Sequence, residues 1–229
     1  AKRISNYSFE KIHQLKATNL PGEKIEIIKM LLSLREKLIK QRTALKNGIT
    51  HLHDCYNEGE TTLIKEIQER LIENLDKEIE LIESKIQGII MQDKSMYLNF
   101  QLILSVSGIG KINAFYFIAY TANFTAFNSA RAFACYCGIA PFANSSGTIT
   151  GRTKVHHYAN KQLKSLINMA ATSAINIKGE FQNYYNKRVN EQGKNKMSTI
   201  NIVRNKLVHR VFAVVKRGTP YVDLLKFAA

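Results

Sequence analysis

Three shortages narrow the reading of this chain before any motif is considered. No apolar run approaches the roughly 18 residues needed to cross a bilayer, and no charged segment followed by an apolar one opens the chain. Neither membrane insertion nor secretion is indicated, and the chain reads as cytoplasmic. Cysteine is scarce: Cys55, Cys135 and Cys137 are an odd, scattered set, which argues against a disulfide framework and fits small buried side chains in a reducing compartment. Acids nearly vanish from the second half. Residues 96–229 hold 17 Lys/Arg but only Glu180, Glu191 and Asp223, in separate segments, so this half cannot assemble the converging carboxylates of a metal-dependent nuclease centre. His51 and Cys55 can share a helix face, but no further ligand follows at zinc-like spacing. An initiator Met is also missing, and the expectation is that a chain opening on Ala1 is a piece of a longer protein.

What is present is charge of one sign, unevenly placed. Residues 1–95 are nearly neutral, with 16 Lys/Arg against 15 Asp/Glu, so almost all of the net charge of +15 lies in the remainder. A neutral half joined to a strongly basic one suggests a support element carrying a polyanion-binding one. Nucleic acid is the expected polyanion, because a membrane-surface helix would gather its cations on one face of one isolated amphipathic segment.

The chain divides accordingly. Residues 1–22 form a polar lead-in that stops at Pro21-Gly22. Leu31, Leu38, Leu45 and Leu52 then recur every seventh residue, with Ile28, Arg35, Arg42 and Ile49 between them, a heptad seam interrupted by two arginines that argue for a specific partner. The pattern breaks over His53–Thr62 and resumes at Ile64, Ile67, Leu71, Leu75, Ile79, Ile82, Ile86 and Ile89. The spacing predicts an antiparallel coiled-coil hairpin within residues 23–95, its helices spanning roughly Glu23–His53 and Thr61–Gln92. Because a two-helix hairpin buries one seam, it is expected to seek another helix and form a homo-oligomer.

Residues 96–229 read as a small, mainly helical domain with one long loop. Two apolar helices flank Ser107-Gly108-Ile109-Gly110, like a helix-hairpin-helix element whose turn can offer backbone N–H groups to a phosphate, with Lys111 beside it. The same glycines serve equally well to pack two helices closely. Asn128-Ser129 caps a short helix that carries Arg131 and closes at Gly138. From Gly138 to Asn160 helical periodicity disappears, and Thr148–Val155 is a candidate β-hairpin. Helices follow over Lys161–Ile177, Glu180–Asn190 and the apolar face Met197, Ile200, Val203, Leu207, Val208, Val211 and Val215.

With no carboxylate cluster at hand, metal-free chemistry on a phosphate requires a protein nucleophile flanked by cations. Ser145 and Ser146 lie near Arg152, Lys154, His156 and His157. Tyr184, Tyr185 and Tyr221 are alternatives, and composition does not choose among them.

An ordered series of residues carries a family resemblance. It runs through Val106-Ser107-Gly108-Ile109-Gly110, Phe127–Phe133, Gly138-Ile139-Ala140-Pro141, Ser146-Gly147, Asn160, Leu163-Lys164, Tyr184-Tyr185, and Arg204-Asn205-Lys206-Leu207 to Gly218-Thr219-Pro220-Tyr221. Over roughly residues 100–222 the chain resembles the C-terminal domain of the DEDD-type insertion-sequence transposases, the group that includes the Piv DNA invertase and the bridge-RNA-guided recombinases. The resemblance implies a serine nucleophile for DNA strand cleavage and exchange, placed at Ser146 with Ser145 as the fallback. It further implies DNA and a structured guide RNA as partners. No cofactor is expected in this chain; Mg²⁺ is expected in a RuvC-like domain ahead of it. The expected nucleic-acid contacts are Gly108, Gly110, Lys111, Arg131, Arg152, Lys154, Asn160, Lys161, Lys164 and Arg204. The sequence departs from the family pattern at Ala159, His157 and Lys164, where Gly, Lys and Arg are usual. From a different class, a noncatalytic nucleic-acid-binding and oligomerisation module accounts for the same charge distribution.

Overall fold

A computed structural model of the chain describes residues 2–14, 21–55, 58–146, 148–155 and 158–223, with backbone alone at 53–55, 58–60, 143–145, 149, 150, 152 and 154. The architecture is mainly helical. After a short helix α1 (Lys2–Glu10), two long helices, α2 (Glu23–Cys55) and α3 (Glu58–Met91), form the expected hairpin. Both run slightly further toward the turn than the periodicity predicts, and α3 continues through Gly59.

Two charged pairs fix the antiparallel register. Arg35 Nη2 lies 2.8 Å from Glu83 Oε1, and Arg42 pairs with Asp76, one heptad further on α2 and seven residues back on α3. The seam arginines thus find their specific partners inside the hairpin. Ile25, Ile28 and Leu32 of α2 are buried, as are Ile79, Ile82, Ile86 and Ile90 of α3. Toward the turn the expected α3 seam is corrected: Ile64, Ile67 and Leu71 are exposed, Gln68 and Ile72 are half-buried instead, and Leu75 is half-buried as expected. Apolar residues populate two adjacent stripes there, and the Arg42–Asp76 pairing selects the neighbouring one.

Asp93 ends the hairpin and starts α4 (Lys94–Leu104), its carboxylate accepting from the Ser95 and Met96 N–H groups at 3.0 Å. α5 (Lys111–Tyr120) follows, then α6 (Ala130–Tyr136), whose cap Ser129 accepts from Ala132 N. Gly138 closes it at φ 64°, a left-handed turn that glycine adopts without steric cost. The segment expected as a loop is an antiparallel hairpin of β1 (Pro141–Ser146) and β2 (Ile149–Val155), larger than the Thr148–Val155 candidate because β1 pairs back from Ser146 to Pro141. α7 (Lys161–Asn176), α8 (Glu180–Asn186) with a π-helical turn over Lys187–Glu191, and α9 (Lys196–Arg217) complete the described chain. Met197, expected inward, is exposed, whereas Val203, Leu207, Val208, Val211 and Val214 are buried.

One continuous core joins these parts. It runs from Ile25, Ile28, Leu32, Ile86 and Ile90 through Phe100, Phe115 and Phe133 to Phe181 and the buried face of α9. Phe117, Phe127, Phe133 and Phe212 meet at ring separations of 5.2–5.6 Å where α5, α6 and α9 converge. No helix among the described residues is long and apolar enough to cross a membrane.

Candidate nucleic-acid interface and serine hairpin

The β-hairpin is built out from the aromatic core by its two ends. Ile139 and Ala140, just ahead of β1, are buried, and the Ile139 carbonyl accepts from Asn201 Nδ2 of α9 at 3.2 Å. At the other end Asn160 N donates to the Tyr136 carbonyl at 3.0 Å, while Asn160 Oδ1 caps α7 by accepting from Leu163 N. Between these anchors Phe142 faces Lys154, Asn144 faces Gly151, Ser145 faces Thr150 and Ser146 faces Ile149. The register shifts between Phe142 and Asn144, leaving one extra residue on β2, and such a bulge increases local twist. Ser146 therefore stands at the last pair before the turn, and its side chain is exposed. Gly147, His156 and His157, and the side chains of Ser145, Arg152 and Lys154, lie outside the described residues.

The helix-hairpin-helix-like turn is tightly packed. Gly108 has φ 87°, and a Cβ on it would stand 2.5 Å from Ala174 Cβ and 2.8 Å from the Ala170 carbonyl oxygen. Its lack of a side chain is thus required by the approach of α7. Gly110 caps α5 without such a constraint, and a Cβ there meets nothing within 4 Å. Lys111 Nζ is 3.0 Å from Glu83 Oε2, whose other oxygen holds Arg35. Burial raises the affinity of Glu83 for a proton, but Lys111 and Arg35 together outweigh it and hold the carboxyl below its ordinary value. The pair joins the turn to the long hairpin.

Arg204 is buried in α9 with no carboxylate partner among the described residues. Its Nε donates to Asn168 Oδ1 at 3.0 Å, Nη2 donates to the same oxygen, and Nη1 reaches Asn201 Oδ1 at 3.5 Å. Burial lowers its pKa from the ordinary arginine value. An amide chain thus runs from Asn168 through Arg204 and Asn201 to the backbone that opens β1. Arg131 and Lys161 are exposed on α6 and α7, and Lys164 is half-buried one turn into α7.

Tyr221, one of the alternative nucleophiles, and Cys137 occupy other settings. Tyr221 donates its hydroxyl to Glu180 Oε2 at 2.9 Å, and its pKa is raised by burial first and by Glu180 second, so its phenolate is suppressed. Burial pushes the Cys137 thiol up to about 12. Among the described residues no three His, Cys, Asp or Glu side chains are grouped to hold a metal. The described residues supply no ligand set for Mg²⁺.

A second cationic region does not emerge from the serine loop. The Tyr184 ring carries Lys206 Nζ at 4.4 Å and Arg188 Cζ at 5.8 Å from its centroid. The alternation of aromatic and basic residues over 184–188 is a visible signal; the arrival of Lys206 from α9 requires the fold.

Residues 100–186 match the model of the transposase IS116/IS110/IS902 family. The chain is 24% identical over 189 residues, 82% of its length, to the pilin gene-inverting proteins of Moraxella lacunata and Moraxella bovis, covering 55% of each. It is 27% identical over 120 residues, 52% of its length, to an uncharacterized 43.6 kDa protein of insertion element IS110 in Streptomyces coelicolor, covering 29% of that protein. The chain thus spans about half the length of the Moraxella relatives. Residues 100–186, from within α4 to the end of α8 with the Ser146 hairpin near their centre, are thus similar to the domain of transposases of the IS116/IS110/IS902 family.

Proposed function

We propose that the chain is the nucleic-acid-binding and nucleophile-bearing part of a DNA recombinase, with Ser146 as the attacking group. The observation that carries this reading is an exposed hydroxyl at the tip of a hairpin anchored at both ends, inside the segment that matches a transposase family. Ser146 Oγ would form a bond to the phosphorus of a scissile phosphodiester as its proton leaves. The bond from phosphorus to the sugar oxygen breaks, and that oxygen takes up a proton. Attack by another strand's hydroxyl on the phosphoserine would reverse these changes and join a new partner. Cations on β2 and on the neighbouring helices would stabilise the charge at phosphorus.

The relatives named for gene inversion support strand exchange as the outcome. A guide RNA, and the supply of metal chemistry by a RuvC-like domain, belong to the same reading. So does assembly: Leu63, Ile64, Ile67 and Leu71 form an exposed apolar stripe on α3 suited to a helix from a second copy. The decisive experiment is covalent trapping on supercoiled target DNA with the complete protein. A denaturation-resistant adduct mapped to Ser146, lost in Ser146→Ala and kept in Ser145→Ala, is expected. Unchanged recombination by Ser146→Ala would overturn the assignment and leave a binding module.

A further inference from the structure

We infer that the elbow between α8 and α9 is a separate docking surface for the sugar–phosphate backbone of duplex DNA. The inference rests on the reading that this chain acts on DNA. It places the contact on residues outside the serine hairpin and its flanking turn.

The π-helical turn Lys187–Glu191 ends where Gln192 N donates to the Lys187 carbonyl at 3.1 Å and Lys194 N to the Arg188 carbonyl at 2.9 Å. Gly193, at φ 62°, allows this reversal. The closure brings the backbone of Lys194 against that of Arg188, so Lys187, Arg188, Lys194 and Lys196 are gathered on one turn. Residues 191–198 are exposed throughout. None of these four cations has an ion-pair partner among the described residues, in contrast to Lys111 on Glu83 or Arg210 on Glu180.

Two features separate this surface from an ordinary solvated charge run. Tyr184 fixes Arg188 and Lys206 over its ring, which restrains long side chains that would otherwise lose entropy on binding. The Arg188 guanidinium is in addition a planar array of donors that matches the oxygens of a phosphate. With both cations already on the Tyr184 ring, the surface favours backbone contact over base stacking. An outward-facing ridge also suits a duplex better than an extruded single strand.

The test uses the 229-residue chain, a 30-base-pair duplex and fluorescence anisotropy across a NaCl series. Replacing Arg188, Lys194 and Lys196 by Gln is expected to lower the log–log salt slope by about 2.7, about 0.9 for each lost phosphate contact, and to weaken binding on the order of tenfold. Lys29, Lys37 and Lys46 on α2, replaced by Gln, remove equal charge and are expected to change the slope by less than about 1. Tyr184→Phe keeps the ring and is expected to bind as the wild type does, whereas Tyr184→Leu loses about threefold with its circular dichroism unchanged. Equal losses from both triple variants would reduce the effect to net charge and overturn the inference. So would wild-type affinity for duplex in the α8–α9 triple, or a loss confined to structured RNA in a parallel titration. Absence of duplex binding by the wild-type chain would instead remove the DNA reading on which the inference stands.

Discussion

Replacing Gly108 by Ala tests whether the turn between α4 and α5 serves packing or phosphate contact. The new methyl group would lie 2.5 Å from Ala174 Cβ and 2.8 Å from the Ala170 carbonyl, so α7 must shift. Overpacking of this kind costs about 1–3 kcal/mol. The φ of 87° adds a second penalty of about 1–2 kcal/mol, because a Cβ in the left-handed region crowds the following carbonyl. The expected loss is thus about 2–5 kcal/mol, a melting-point drop on the order of 5–15 °C for a chain of this size. Thermal unfolding followed by circular dichroism measures it. Gly110→Ala, with open space at its Cβ, is the paired control and is expected to change stability by less than about 0.5 kcal/mol. Combining Gly108→Ala with Ala174→Gly removes the steric share and leaves the backbone share, so part of the loss should return. A Gly108→Ala protein that unfolds like the wild type but loses DNA affinity would refute the packing account and favour phosphate contact.

Four further outcomes follow from the same geometry. Ser146→Ala, at an exposed position, is expected to leave unfolding within about 0.5 kcal/mol of wild type, so any loss of adduct reports chemistry rather than folding. Glu83→Gln leaves Arg35 and Lys111 without their carboxylate and is expected to cost about 1–3 kcal/mol in urea unfolding at pH 7. Because the folded carboxyl is held below its ordinary value, the stability it contributes is present above an unfolded pKa of about 4.3 and is lost as pH falls through the folded value. The gap between wild type and variant should therefore stay constant above about pH 6 and close in acid. Asn160→Ala removes the α7 cap and is expected to cost about 1 kcal/mol, with Asn160→Asp recovering most of it.

The long hairpin was legible because leucines at seven-residue intervals leave little choice of partner face, and the cap at Ser129 was read from residue type, whereas the caps at Asp93 and Asn160 came from the structure. The α3 stripe near the turn was misread because Leu63, Ile64, Ile67, Leu71 and Ile72 satisfy two neighbouring periodicities. The Arg42–Asp76 pair, 34 residues apart, chooses between them. The long loop resolved into strands whose β1 half, Pro141-Phe142-Ala143-Asn144-Ser145-Ser146, lacks alternation and depends on β2 for its form. At the candidate site, Ser146 came from an ordered resemblance, and the structure adds its exposure and its two anchors. The partners of Gly108, Lys111 and Arg204 were beyond local reading because Ala174, Glu83 and Asn168 meet them only through the fold.

The seam of the long hairpin has a mechanical consequence. Among the described residues of α2, none beyond Leu32 is fully buried, and on α3 none before Ile79 is. At 1.5 Å per residue, roughly 35 Å of two-helix rod extends past the last fully buried layer. Its root shares a core with α4 and α5, so a load at the tip is delivered as torque on the helix pair that frames Gly108. Amide exchange should record that gradient, slow at Ile28 and Ile86 and progressively faster toward the turn. A partner gripping the tip would thus hold a long handle on the body that carries Ser146.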